Sequence, residues 1–348
     1  MGKKKSSKKR NIIISLMAVF LLVSAGLIGW GSWILFYPNF ATEKTVYVYV
    51  DEKKDFNELC RQLKDSAGCR SLSNFKMLAR WMHYPEKMKT GRYAVVKGMN
   101  NTVLIKSLLR AHQEPVHLTF NNIRTTDELA GRLSDQMMFT KEDLLTLLQD
   151  SSYCDSLGFT TETIKALFIP NTYEVYWNLS APKLVQRMLR EYNAFWTDER
   201  RKMAEQIGLS PVEVSILASI VEEETADPVE YPMVAGLYIN RLHIGMPLQA
   251  DPTVKYAVGD FGLRRILFEH LSIDSPYNTY KYTGLPPGPL RISTIRGLEG
   301  VLNYTKHNYI YMCAKEDFSG HHNFAMTLQE HAKNANRYRE ALNKRGIQ

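Results

Sequence analysis

Three consecutive glutamates, Glu222, Glu223 and Glu224, close the run SPVEVSILASIVEEET from Ser210 to Thr225. A carboxyl group can give a proton to a leaving oxygen and take one back, provided its surroundings hold its pKa near the working pH. The spacing says where each group points. At about 100° per residue, Val214, Ile216, Leu217, Ile220 and Val221 share one side, a core face. Ser215, Ala218 and Ser219 share the other, and Glu222 falls with them. Glu222 therefore projects from a strip of small residues, a trough where a substrate could approach. Glu224 points into the middle of the apolar face, where burial would raise its pKa. Helical geometry does not choose between them. A helix end carrying three solvated glutamates fits the periodicity equally well.

The next stretch adds hydrogen-bonding groups. Asn240, Arg241, Gln249, Asp251, Thr253 and Tyr256 stand among apolar spacers such as Met246-Pro247-Leu248. Amide, guanidinium, carboxylate and phenol groups together suit the recognition of hydroxyls and acetamides, both of which a sugar polymer presents. His321, His322 and His331 lack the spacing of a tight metal motif. Neither a metal nor a cofactor is expected.

The helix that positions the glutamates is well marked. Ser210 and Glu213 make a capping box, Pro211 sits at the first helical position, and Asp227-Pro228 should stop the helix near Thr225. Upstream, Thr45–Val50 reads as a strand, residues 55–64 and 71–82 as helices, and Gly91–Val96 as a second strand. A helix follows from Asn101-Thr102. Val116–Phe120 reads as a strand. Helices are expected from Thr126, over 140–150 and through 182–207, followed by a strand over Tyr309–Cys313 and a last helix over 327–344.

The chain has 348 residues and a net charge of +8. Lys3, Lys4, Lys5, Lys8, Lys9 and Arg10 supply six of those charges before residue 11, leaving +2 for the remainder, which is no nucleic-acid footprint. Residues 11–36 carry no charged side chain and are long enough to span a bilayer. Trp30, Trp33, Phe36 and Tyr37 fall where an interfacial aromatic belt belongs. The basic tail predicts a cytoplasmic N-terminus and an extracytoplasmic remainder; the apolar run continues ten residues past Ser24-Ala25-Gly26, the site a cleaved signal peptide would use, and so favours an uncleaved single-pass anchor in the inner membrane over that rival. Cys60, Cys69, Cys154 and Cys313 match no metal-ligand spacing; Cys60 and Cys69 could pair outside the cytoplasm, and free thiols fit as well.

ASIVEEET, VAGLYINRLHIGMPLQADPTVKYAVG and SPYNTYKYTGLPPGPL together resemble the YceG-like family of endolytic murein transglycosylases. The likeness runs over roughly residues 40–340 and is densest from 215 to 331. It implies an α+β chain: a basic tail (1–10), a transmembrane anchor (11–36), a LysM-like module (41–113), a connecting α+β region (114–209) and a mixed α/β catalytic domain (210–348). It implies a lyase that cuts the bond between N-acetylmuramic acid and N-acetylglucosamine in nascent peptidoglycan, leaves 1,6-anhydro ends and limits strand length. A single glutamate, the first of the V-E-x-E-T run, is the family's acid/base; it falls on Glu222. Glu224 would then support it, paired with Arg241, and Asp251 and Gln249 would orient the sugar. Asn278 and Tyr280 lie on a loop that closes one side of the family's cleft. Membrane glycan polymerases and divisome proteins are the implied partners. At Leu290-Arg291-Ile292-Ser293 the chain departs from relatives that carry a further Asn-Pro-Gly. A murein-binding scaffold and a hydrolytic muramidase remain the alternatives.

Overall fold

The computed structural model describes residues 3–263 and 265–346. The apolar run forms the greater part of one helix, α1 (Lys3–Phe36). Its stretch Lys9–Phe36 is long and apolar enough to cross a bilayer, and protein does not cover its apolar window. The last turn is docked: Ile34 is buried, and the Thr102 hydroxyl donates to the Leu35 carbonyl at 2.7 Å.

The chain divides into two compact units. One runs to Val116 and takes in Glu174–Asn178; the other holds His117–Tyr173 and Leu179 onward. In the first, β1 (Val46–Val50), α2 (Phe56–Asp65), α3 (Leu72–Trp81), β2 (Gly91–Val95) and α4 (Asn101–Arg110) follow in order. β1 and β2 pair antiparallel, Val46 opposite Val95 and Val50 opposite Gly91. Asp55, Ser71 and Asn100 cap the three helices by accepting from backbone amides. Leu59, Leu63, Phe75, Tyr93, Leu104 and Leu108 fill the core between them. The four cysteines are free thiols.

Strands β3 (Val116–Thr119) and β4 (Thr172–Val175) each hold residues of both units. The second unit is mainly helical: α5 (Thr126–Ser134), α6 (Lys141–Gln149), α7 (Ser151–Ser156), α8 (Ala181–Phe195), α9 (Asp198–Ile207), α10 (Pro211–Glu224), α11 (Tyr231–His243), α12 (Asp251–Val258), α13 (Phe268–Leu271) and α14 (Ile295–Leu302). A hairpin, β5 (Tyr311–Ala314) with β6 (His322–Ala325), and the last helix, α15 (Leu328–Lys344), complete it. Residues 117–173 and 179–209, expected from the sequence to be a connecting region, fall in the same unit as residues 210 onward.

α5 begins at Thr126 as expected, capped by Thr125, which accepts from the Glu128 amide at 3.0 Å. The charged stretch 182–207 is two helices, α8 and α9. The larger change concerns α10. Every residue from Val214 to Glu222 is buried, so the helix is central and enclosed on all sides instead of one-faced. α11 and α14 pack against it.

Candidate active site

α10 begins as its sequence dictates. The Ser210 hydroxyl accepts from the Glu213 amide at 3.3 Å, and the Glu213 carboxylate accepts from the Ser210 amide at 2.7 Å. It ends at Glu224, with Thr225 extended. Three carboxyl groups thus stand at the negative end of the helix dipole, where anions are disfavoured. Each finds a different neighbour.

Glu222 does not face an open trough. Its side chain is 2% exposed and turned toward the N-terminus of α14. The Thr294 amide donates to its oxygens at 3.1 and 3.2 Å, and the Thr294 hydroxyl donates as well. Arg291 Nε stands 4.0 Å away. Burial pushes the carboxyl up, opposed by Thr294 and Arg291. The strip of small residues that was expected to admit a substrate is filled by the chain itself. The Leu290 amide donates to Ser219 Oγ at 2.9 Å, and Ser293 Oγ donates to the Ser215 carbonyl at 2.9 Å.

Glu223 is held by two guanidiniums. Arg124 reaches both of its oxygens, at 2.8 and 3.0 Å, and Arg291 Nη1 lies 3.2 Å away.

Glu224 meets a phenol and a cleft. The Tyr238 hydroxyl, 1% exposed as a residue, donates to it at 2.7 Å. Burial pushes its carboxyl up to about 7; Tyr238 pulls the other way, and the nearby Asp251 charge adds to the rise. With Glu223 and Asp251 it lines a cleft of about 880 Å³. Lys255, Arg265 and Ile266 form a further wall, and Tyr338 and Leu342 of α15 another. The geometry therefore separates a carboxyl packed against a helix end (Glu222) from one that borders an open cleft (Glu224).

The YceG-like family model matches residues 48–337. The chain belongs to the YceG-like family. It is 26% identical over 340 residues to the endolytic murein transglycosylase of Bacillus subtilis, covering 93% of each chain. It is 27% identical over 365 residues to that of Streptococcus pneumoniae strain D39, covering 94% of this chain and 65% of the longer relative. The crystal structure of a YceG-like protein from Listeria monocytogenes superposes with a TM-score of 0.56 at 26% identity, over 84% of this chain and 99% of that one.

In this YceG-like chain the other expected site residues are spread over different places. Asp251 lines the cleft and accepts from the Tyr280 hydroxyl at 2.6 Å. Asn240, Arg241, Thr253 and Asn278 hold backbone, and Gln249 and Tyr256 lie elsewhere. Asn240 donates to the carbonyls of His307 and Tyr309. Arg241 donates to the carbonyls of Ile310 and Leu248, at 2.7 and 2.6 Å, so the expected ion pair with Glu224 is not formed. Thr253 and Asn278 are buried; Thr253 bonds Ala250 and Thr279, and Asn278 donates to Leu271 and Ile273. Gln249 is exposed, with a left-handed φ of 49°. Tyr256 packs on Tyr277 and accepts from Lys165 Nζ at 2.8 Å. The histidines brace the turn after α10: His321 pairs with Asp227 at 2.9 Å, and His322 with Glu230 at 2.7 Å.

Sequence reasoning missed Tyr238, Arg124, Lys255, Arg265 and Tyr338. Tyr238 alone left a signal. It lies 14 residues after Glu224, on a helix that had to fold back over α10 once Asp227-Pro228 turned the chain.

Proposed function

We propose that this chain is a membrane-anchored lytic transglycosylase that cuts peptidoglycan glycan strands internally, with Glu224 carrying the proton. The observation behind the assignment is that Glu224 lines the cleft and, among the described residues, makes no ion pair with a guanidinium, while burial pushes its carboxyl up to about 7. The relatives from Bacillus subtilis and Streptococcus pneumoniae are named endolytic murein transglycosylases, and that name supplies the substrate.

A carboxyl with a pKa near 7 serves both halves of such a reaction. As an acid, Glu224 gives its proton to the oxygen between N-acetylmuramic acid and N-acetylglucosamine while the bond to the anomeric carbon breaks. The carboxylate then takes the proton of the muramoyl C6 hydroxyl, whose oxygen bonds to that carbon. The product is a 1,6-anhydro end, and Glu224 is again protonated. No water is consumed. Asp251, held by Tyr280, lies close enough for its charge to act on Glu224 and is placed to favour positive charge developing in the sugar.

A second reading deserves a test because Glu224 and Asp251 border one cleft. Two carboxyl groups across a glycosidic bond are what a hydrolytic muramidase uses. Mass spectrometry of digested murein separates the two: the lyase product is one water lighter than the hydrolase product. Glu224→Gln should lower kcat by about a hundredfold or more, and Glu222→Gln should stay within about tenfold of the parent, acting only through packing against α14. The reverse pattern would return the acid to Glu222.

The remaining assignments belong to the same proposal. α1 is the inner-membrane anchor, with its basic end cytoplasmic and both units outside, and tethering concentrates the enzyme where strands are made. Cleavage there sets strand length, in company with glycan polymerases and divisome proteins. The β1–α2–α3–β2 order is that of a LysM-like module, whose ligand would be N-acetylglucosamine polymer.

A further inference from the structure

We propose that Lys255 and Arg265 form an anion subsite in the cleft, and that its ligand is a carboxylate of the peptide stems carried by the glycan strand. The inference deepens the transglycosylase reading and rests on it for the identity of the strand.

Both residues line the cleft that Glu224 and Asp251 border. Lys255 lies four residues after Asp251 on α12, so the two share a helix face. Arg265 enters from the segment after α12. Among the described residues, neither cation makes an ion pair with a carboxylate of the protein.

The cleft's own acids do not pair with these cations. Glu223 is bound by Arg124 and Arg291, Glu224 by Tyr238, and Asp251 by Tyr280. A bare glycan backbone does not explain them. Its hydroxyls and acetamides carry no charge, and a cation pressed against them loses hydration with no counter-charge in return. The stems differ. They hang from the lactyl group of each muramic acid and carry free carboxylates. Without local cations, an anionic strand entering the cleft meets the charge of Asp251, which the neutral Tyr280 hydroxyl does not offset. Lys255 and Arg265 offset that repulsion and hold the stem on the α12 side, away from the proton-carrying Glu224.

The test uses the full chain in detergent with two substrates: stem-bearing strands, and control strands whose stem carboxylates have been converted to neutral amides. The readout is the ratio of kcat/KM for the two. The double variant Lys255→Gln, Arg265→Gln should lower that ratio about tenfold through KM on the stem-bearing strands, as expected for two solvent-accessible ion pairs. Lys255→Arg should retain it. Raising salt should erode the parent's preference. An unchanged ratio overturns the subsite. Anisotropy of a labelled stem-bearing fragment reads binding without turnover. If the parent released no anhydro ends, the activity reading would fall, while affinity lost in the double variant would still uphold the subsite and affinity unaffected by it would refute it.

Discussion

Three adjacent carboxyl groups leave the end of α10 about 100° apart, and that angle alone gives them three environments. Glu222 meets a helix terminus, Glu223 a pair of guanidiniums, and Glu224 a phenol and a cleft. With Glu224 as the proposed acid, its protonated form is the starting state for bond cleavage, so activity should fall as pH rises through about 7. Its neighbours move that limb in opposite directions. The Tyr238 hydroxyl stabilises the carboxylate, so Tyr238→Phe should raise the pKa and carry the alkaline limb of kcat/KM upward by about one unit. Asp251 repels the carboxylate, so Asp251→Asn should carry the limb downward, by less. A pH–rate profile of each variant checks this. Limbs that move together, or stay with the parent, would mean that the titrating group is not Glu224.

At the scale of elements, the sequence announced α10 clearly and what surrounds it poorly. The capping box, the proline at the first helical position and the stop at Asp227-Pro228 are local signals and appear where expected. The strip Ser215, Ala218, Ser219 and Glu222 was also legible as a face unlike the other. What lies on that face was not, because its partners, Leu290 to Thr294, are 71 or more residues away. A strip of small residues indicates close approach, and here another piece of backbone makes it. Close packing also marks two glycines of α14. A Cβ on Gly297 would fall 2.6 Å from the Glu222 carboxyl carbon, and one on Gly300 would fall 2.7 Å from Tyr231 Cβ. Gly300→Ala should therefore cost about 1–3 kcal/mol of stability, as overpacked contacts do, and a denaturant melt measures it. Gly297→Ala should cost a similar amount if Glu222 serves packing, while leaving the pH limb assigned to Glu224 near 7. A limb displaced by Gly297→Ala would point back to Glu222.

At the scale of the whole molecule, the hydropathy pattern made the long apolar helix plain but hid where it joins the folded protein. α1 is uncovered over its apolar window, yet its last turn belongs to the first unit. Ile34 and Phe40 join the core, the Thr102 hydroxyl donates to the Leu35 carbonyl, and Asn39 is bonded to Asn101 at 2.7 Å and to the Ser71 amide at 2.8 Å. A chain beginning at Trp33 keeps these contacts and sheds most of the apolar helix. A chain beginning at Thr45 exposes the core they cover. The first should be soluble and melt near the temperature of the full chain. The second should lose at least about 2–4 kcal/mol, since it removes two buried apolar side chains and a buried hydrogen-bonded amide. Equal thermal stability of the two truncations, measured by scanning calorimetry, would show that the end of α1 contributes nothing to the unit it meets. If the Trp33 chain released anhydro ends from isolated strands as fast as the full chain, yet failed to shorten strands in cells, the membrane segment would act by placing the enzyme at its substrate and would have no part in the chemistry.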